Sequence, residues 1–71
     1  MKLSAYTKPE IDYFRENCNF VGNEIDVFEY KCLDITEEHI AYYTGLTVSG
    51  VKYVTKKIRD KIMRVVYLYF L

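Results

Sequence analysis

The sequence predicts a small all-α domain with four helices, at about residues 8–18, 23–33, 36–44 and 47–64. Three observations lead to this prediction. Apolar residues recur three and four positions apart, polar capping residues stand at the starts of these stretches, and glycines separate them. A chain of 71 residues has room for one small core. We therefore expect a single domain over residues 1–71, with an apolar extension at 65–71.

The first two helices each begin at a predicted cap. Thr7 and Glu10 have the spacing of a capping box, and Pro9 is tolerated in a first helical turn. Asn23 is the expected cap of the second helix. The predicted buried stripes are Ile11, Phe14 and Cys18 in the first helix, and Ile25, Phe28 and Cys32 in the second, with Val27 and Leu33 at its margin.

A short turn joins the third and fourth helices. Thr36 is the expected cap of the third helix, which should bury Ile40, Ala41 and one of its two tyrosines. Gly45 supplies the left-handed residue that ends this helix, and Thr47 caps the next one. The fourth helix carries one apolar face, made of Val51, Val54, Ile58, Ile62 and Val65.

The spacing from Ala41 through Gly45 to Val54 is typical of a helix-turn-helix, whose second helix enters the DNA major groove. Charge favours the same interpretation. The chain has no net charge, but residues 1–38 hold four cations and nine acids, whereas residues 39–71 hold six cations and one acid. Such an uneven distribution predicts an anion-binding face on the basic half. The alternative is a solvated helix face whose lysines favour the negative end of the helix dipole.

These residues resemble a known pattern. Ile40-Ala41, Thr44-Gly45-Leu46, Thr47, Gly50-Val51-Lys52 and the basic segment 56–62 are similar to the helix-turn-helix of region 4 of bacterial sigma factors and of LuxR-type regulators. The resemblance covers about residues 19–62. Because it is also short, the chain is similar to the small free-standing regulators of phages and mobile elements in low-GC Gram-positive bacteria. Gly50 replaces the usual Thr, Thr44 replaces the usual Leu, and Tyr53 and Val54 stand at often polar positions, so no operator preference carries over.

We accordingly expect a sequence-specific transcriptional regulator that binds double-stranded DNA with the helix after Thr47. The candidate base contacts are Ser49, Gly50, Lys52, Tyr53 and Lys56. The candidate phosphate contacts are Thr36, His39, Thr47, Lys57, Arg59 and Arg64. For His39 the alternative is an ordinary exposed residue.

The apolar ending predicts self-association. Ile62, Val65 and Tyr69 keep coiled-coil spacing, which predicts that the fourth helix extends through this segment and that these residues form a candidate dimer seam between two copies of it. The alternatives are a tail that folds back on the first two helices, or a strand.

A protein-interaction module on the same scaffold is the alternative function, either docking on RNA polymerase or antagonising a host regulator. An enzyme is not expected, because one histidine and the absence of a catalytic motif leave no candidate site. Cys18 and Cys32 lack the spacing of metal ligands and are interpreted as reduced core residues of a cytoplasmic protein. We expect no cofactor, no metal and no membrane span.

Overall fold

In a computed structural model, the structure describes residues 2–70, with side chains up to Leu68. A 3-10 helix over Leu3–Ala5 precedes α1 (Lys8–Asn17), α2 (Asn23–Cys32), α3 (Glu37–Thr44) and α4 (Val48–Phe70), and there is no strand within this range. The predicted all-α fold class is therefore confirmed. The bounds of α1, α2 and α3 agree with the prediction to within one residue at each end.

The start of α1 confirms the predicted capping box. The Glu10 N–H donates to Thr7 Oγ1 at 3.4 Å, and the Thr7 N–H donates to Glu10 Oε1 at 2.8 Å. The N–H groups at the start of a helix have no acceptor within the helix, and these two side-chain oxygens accept hydrogen bonds from two of them. The helix then buries Phe14, whose ring meets the edge of Tyr6 at a centroid distance of 5.0 Å.

The prediction that Asn23 caps α2 was wrong. Gly22 occupies the cap position, with φ +55° and ψ −128°, and Asn23 is already the first helical residue. A glycine reaches this backbone conformation freely, whereas a side chain makes it strained. Glu24 Oε1 instead accepts a hydrogen bond from the Val21 N–H at 3.1 Å, which closes the turn before α2.

The buried face of α2 also differs from the predicted stripe. Val27 and Phe28 are fully buried and Glu24 nearly so, whereas Leu33 is 72% exposed and Ile25 only partly covered. Both α3 and α4 pack against α2, so its neighbours determine which arc of the helix is covered. Val27 therefore belongs to the centre of the core.

The prediction for α3 was partly wrong. Ile40 and Ala41 are buried as expected, but neither tyrosine is. Tyr42 is 83% exposed and Tyr43 is 56% exposed. An eight-residue helix turns only one narrow stripe toward the core, and Ile40 and Ala41 fill that stripe.

Helix α4 is longer than the predicted 47–64, because it continues without a break to Phe70. The strand and the fold-back tail are therefore both wrong for residues 65–70. Val65 and Val66 lie half-buried against the core while remaining on the helix. With a rise of about 1.5 Å per residue, α4 is about 34 Å long, close to the 37 Å long axis of the molecule.

Candidate nucleic-acid interface

A three-residue connection positions the start of α4. Gly45, in the left-handed conformation with φ +78°, ends α3 and donates its N–H to the Ala41 carbonyl at 2.9 Å. Leu46 is partly buried against the core. Thr47 then caps α4, because its Oγ1 accepts the Gly50 N–H at 3.0 Å. The caps predicted at Gly45 and Thr47 are confirmed.

The inward face of α4 fixes how the helix is rotated. Val51 and Ile62 have no exposed surface and Ile58 is 1% exposed. These three residues pack in the core that α2 and α3 also build. Since full burial of such aliphatic side chains contributes about 1.5–3 kcal/mol each, rotating α4 about its axis would be costly. The opposite face is therefore held toward solvent.

The predicted base contacts lie on that outward face. Ser49, Lys52, Tyr53 and Lys56 are exposed, and Gly50 is half-buried at the edge of the arc. A Cβ at Gly50 would lie 3.2 Å from Thr47 Oγ1, a close contact that would crowd the cap. Packing against Thr47 therefore favours glycine at position 50, whether or not a ligand approaches it.

Tyr53 is 62% exposed, and its ring lies beneath Lys57, whose Nζ is 4.7 Å from the ring centroid. This distance is that of a cation–π contact, which restricts both side chains. Tyr53 thus presents an exposed ring covered by the Lys57 ammonium group, beside the exposed side chains of Lys52 and Lys56.

The cations of the chain divide into two groups. One group is engaged by carboxylates within 4 Å and consists of Lys2, Lys8, Arg15, Lys31 and Lys61. The other group has no ion-pair partner among the described residues and consists of Lys52, Lys56, Lys57, Arg59 and Arg64. Every member of the second group is exposed and lies on α4. We call these five residues the α4 cation set.

Thr36 and His39, two further predicted phosphate contacts, lie together at the start of α3. Both are exposed, but the Thr36 hydroxyl already bonds the His39 ring, with 2.9 Å between Oγ1 and Nδ1, and accepts the His39 N–H at 3.4 Å. Glu37 and Glu38 stand between them. Thr36 and His39 therefore lie on an acidic helix start, which is less favourable for a phosphate than the α4 cation set.

One ion pair that supports α4 was missed. Lys61 Nζ donates to Glu24 Oε1 at 2.5 Å and to the Asn19 carbonyl at 3.0 Å, which ties α4 to the loop between α1 and α2. Burial disfavours the charged form of Glu24, but the hydrogen bonds from Lys61 and from the Val21 N–H hold the pKa of the carboxyl below its usual value. Glu24 and Lys61 are 37 positions apart, so helical spacing cannot reveal the pair.

Both thiols are poor nucleophiles. Burial raises the pKa of Cys18 and of Cys32 to about 11 in each case, and both are free. No group of three or more potential metal ligands occurs in the part of the chain that the structure describes.

The candidate dimer seam is only partly available. Ile62 is fully buried within the domain, Val65 is half-buried, and the Tyr69 side chain lies outside the described part. Ile62 therefore cannot contact a second copy without opening the core. The exposed apolar residues at this end are Met63, Tyr67 and Leu68.

Within residues 2–70, no helix combines the length and apolar character needed to cross a lipid bilayer. Comparison with protein-family models, curated proteins and solved structures gives no match to this chain.

Proposed function

We propose that the chain is a transcriptional regulator that binds double-stranded DNA sequence-specifically, with the N-terminal half of α4 in the major groove. One observation carries the proposal. The α4 cation set is exposed and has no carboxylate partner among the described residues, whereas the other described cations are paired. A surface that keeps several cations unneutralised on one face attracts a polyanion, because phosphate contacts release condensed counterions.

The geometry of α4 suits a duplex. An α-helix with its side chains is about 10–12 Å in diameter, which fits the width of about 12 Å of the major groove. Lys52 and Lys56 are four positions apart on one ridge and would donate to guanine acceptors, while Tyr53 would contact a thymine methyl group. Lys57, Arg59 and Arg64 flank this ridge and would neutralise phosphates.

This role would place the protein in the cytoplasm. Affinity selection from a random pool of duplexes is the experiment that tests it, because it reports binding, site length and symmetry together. We expect a conserved motif in the recovered duplexes. Recovery of unenriched sequences would contradict sequence-specific recognition, and recovery of no duplex would contradict DNA binding altogether.

A protein-interaction module on the same scaffold remains the alternative, and the exposed aromatic residues favour it. A heparin or DNA column at moderate salt separates the two functions. Retention supports the regulator, whereas flow-through supports the interaction module.

We also propose that two copies associate through the C-terminal end of α4, with Met63, Tyr67 and Leu68 as the contact surface. These side chains are 51%, 64% and 67% exposed and lie within six consecutive positions of α4, with Met63 and Tyr67 on one ridge of the helix. Sedimentation of the full chain and of the Leu68→Glu variant tests this proposal, with Leu33→Glu as the matched control because Leu33 is 72% exposed elsewhere. A dimer that only Leu68→Glu dissociates supports the surface; a monomeric parent chain contradicts it.

A further inference from the structure

A second surface lies on the outward face of α3. Tyr43 stacks on Tyr30 of α2, with ring centroids 5.5 Å apart and planes 30° apart, and on His39 at 6.4 Å and 25°. Tyr42 meets the edge of Tyr43 at 5.7 Å. These four rings form what we call the α3 aromatic face.

Tyr30 is half-buried against the core, and the three rings of α3 are exposed but ordered by their contacts with it and with one another. Tyr43 lies between two ring neighbours, and the bond between Thr36 Oγ1 and His39 Nδ1 fixes the histidine ring. Tyr42 nevertheless keeps 83% of its surface in water. Rings held in place in this way lose little conformational entropy when a partner covers them, which is a property of tyrosines at protein interfaces.

The charge of α3 decides what kind of partner fits. Helix α3 contains no lysine or arginine. Glu37 is engaged by Lys31 at 3.7 Å, but no described side chain forms an ion pair or hydrogen bond with the exposed carboxylate of Glu38. Glu38 stands four positions before Tyr42, so both occupy one ridge of the helix. This ridge repels nucleic-acid phosphates and attracts a cation, since aromatic faces also favour positive charge.

We propose that Glu38 and the α3 aromatic face bind an arginine-bearing segment of a second protein. A guanidinium is planar, stacks on an aromatic ring and pairs with a carboxylate through two parallel hydrogen bonds. Glu38 and Tyr42 supply a carboxylate and an exposed ring side by side. A lysine ammonium can pair with a carboxylate or lie over a ring, but it is not planar and cannot form two parallel hydrogen bonds, so the surface favours arginine over lysine. The proposal does not depend on DNA binding by α4.

The test is an NMR titration of the isotope-labelled full chain with two capped alanine-based hexapeptides, one with two arginines and the other with two lysines. The variant Glu38→Gln/Tyr42→Ala removes the ridge. The matched control is Glu16→Gln/Val21→Ala, which removes an exposed acid and an exposed apolar side chain outside the surfaces proposed above. Circular dichroism and the dispersion of the amide signals verify that each variant is folded.

We expect the arginine peptide to shift the amide signals of residues 38–43 and to bind more tightly than the lysine peptide. The ridge variant should bind the arginine peptide roughly tenfold more weakly, from the combined loss of a charge-assisted hydrogen bond and a cation–π contact; the control should match the parent chain. Equal binding of the two peptides, shifts confined to other residues, or an unaffected ridge variant would each overturn the proposal. A failure of the chain to bind duplex DNA would not affect this proposal, because the proposal concerns α3 and not α4.

Discussion

Replacing Lys61 by Met tests how α4 is held against the rest of the domain. The variant keeps the aliphatic stem but removes the ammonium from Glu24 and from the Asn19 carbonyl. The Glu24 carboxylate, 7% exposed, then retains only the Val21 N–H. Removing one member of a buried ion pair costs about 3–5 kcal/mol. Because the Lys61 side chain is 25% exposed and water would replace part of its contribution, we expect the free energy of unfolding to fall by about 2 kcal/mol.

Urea denaturation followed by circular dichroism measures this change, and the melting temperature should fall by about 10 °C for a domain of this size. Lys56→Met is the matched control, because Lys56 is exposed on the same helix and has no ion-pair partner among the described residues. The control should change the free energy of unfolding by no more than about 0.5 kcal/mol.

The pH dependence gives a second readout with a definite sign. The folded pKa of Glu24 is lowered, so its pairing stabilises the parent chain above the unfolded pKa of about 4.3 and is lost as pH falls through the folded value. Without Lys61, burial raises that pKa, and the penalty should be full at neutral pH and shrink as acid protonates Glu24. Equal stability of Lys61→Met and the control, or a penalty that does not shrink in acid, would refute this account of the pair.

Two further predictions concern the backbone and the thiols. Gly22→Ala should lower the free energy of unfolding by about 1–3 kcal/mol, because φ +55° with ψ −128° is strained for alanine. Thermal denaturation measures this loss of stability. An unchanged melting temperature would contradict the strain and show that the turn relaxes. Cys18 and Cys32 should react slowly with a thiol-specific disulfide reagent at pH 8 and rapidly in urea, since burial raises each pKa to about 11. Rapid reaction of the native chain would contradict their burial.

Local signals in the sequence predicted most of the fold. Thr7, Thr36 and Thr47 cap helices through bonds that span three residues, so nearby positions suffice to identify them. The prediction of the α2 cap failed because Gly22 and Asn23 are both acceptable cap residues. The backbone conformation at residue 22, which favours glycine, decides between them. The sequence left the end of α4 open between an extended helix, a fold-back tail and a strand, because residues 65–70 are almost uniformly apolar and their spacing does not choose among these.

Long-range packing decided what the sequence left open. Val27 became central and Leu33 exposed because α3 and α4 jointly cover one arc of α2. For the candidate site, periodicity correctly predicted which α4 cations are exposed. It could not predict that Lys61 is the one cation of α4 that pairs with a described carboxylate, since that depends on where Glu24 lies in three dimensions.

The central claim is that the α4 cation set contacts DNA. Its most direct test compares duplex affinity, by fluorescence anisotropy at moderate salt, for Lys52→Ala/Lys56→Ala and Lys2→Ala/Lys8→Ala. Both variants lose two lysines and the same net charge, but Lys2 and Lys8 lie in the acidic half, within 4 Å of carboxylates. Loss of two base contacts should weaken binding by at least about tenfold, whereas the second variant should stay within about twofold of the parent chain because its lysines are exposed and partly neutralised by carboxylates. Equal affinities of the two variants would contradict the assignment of α4 as the DNA-contacting helix.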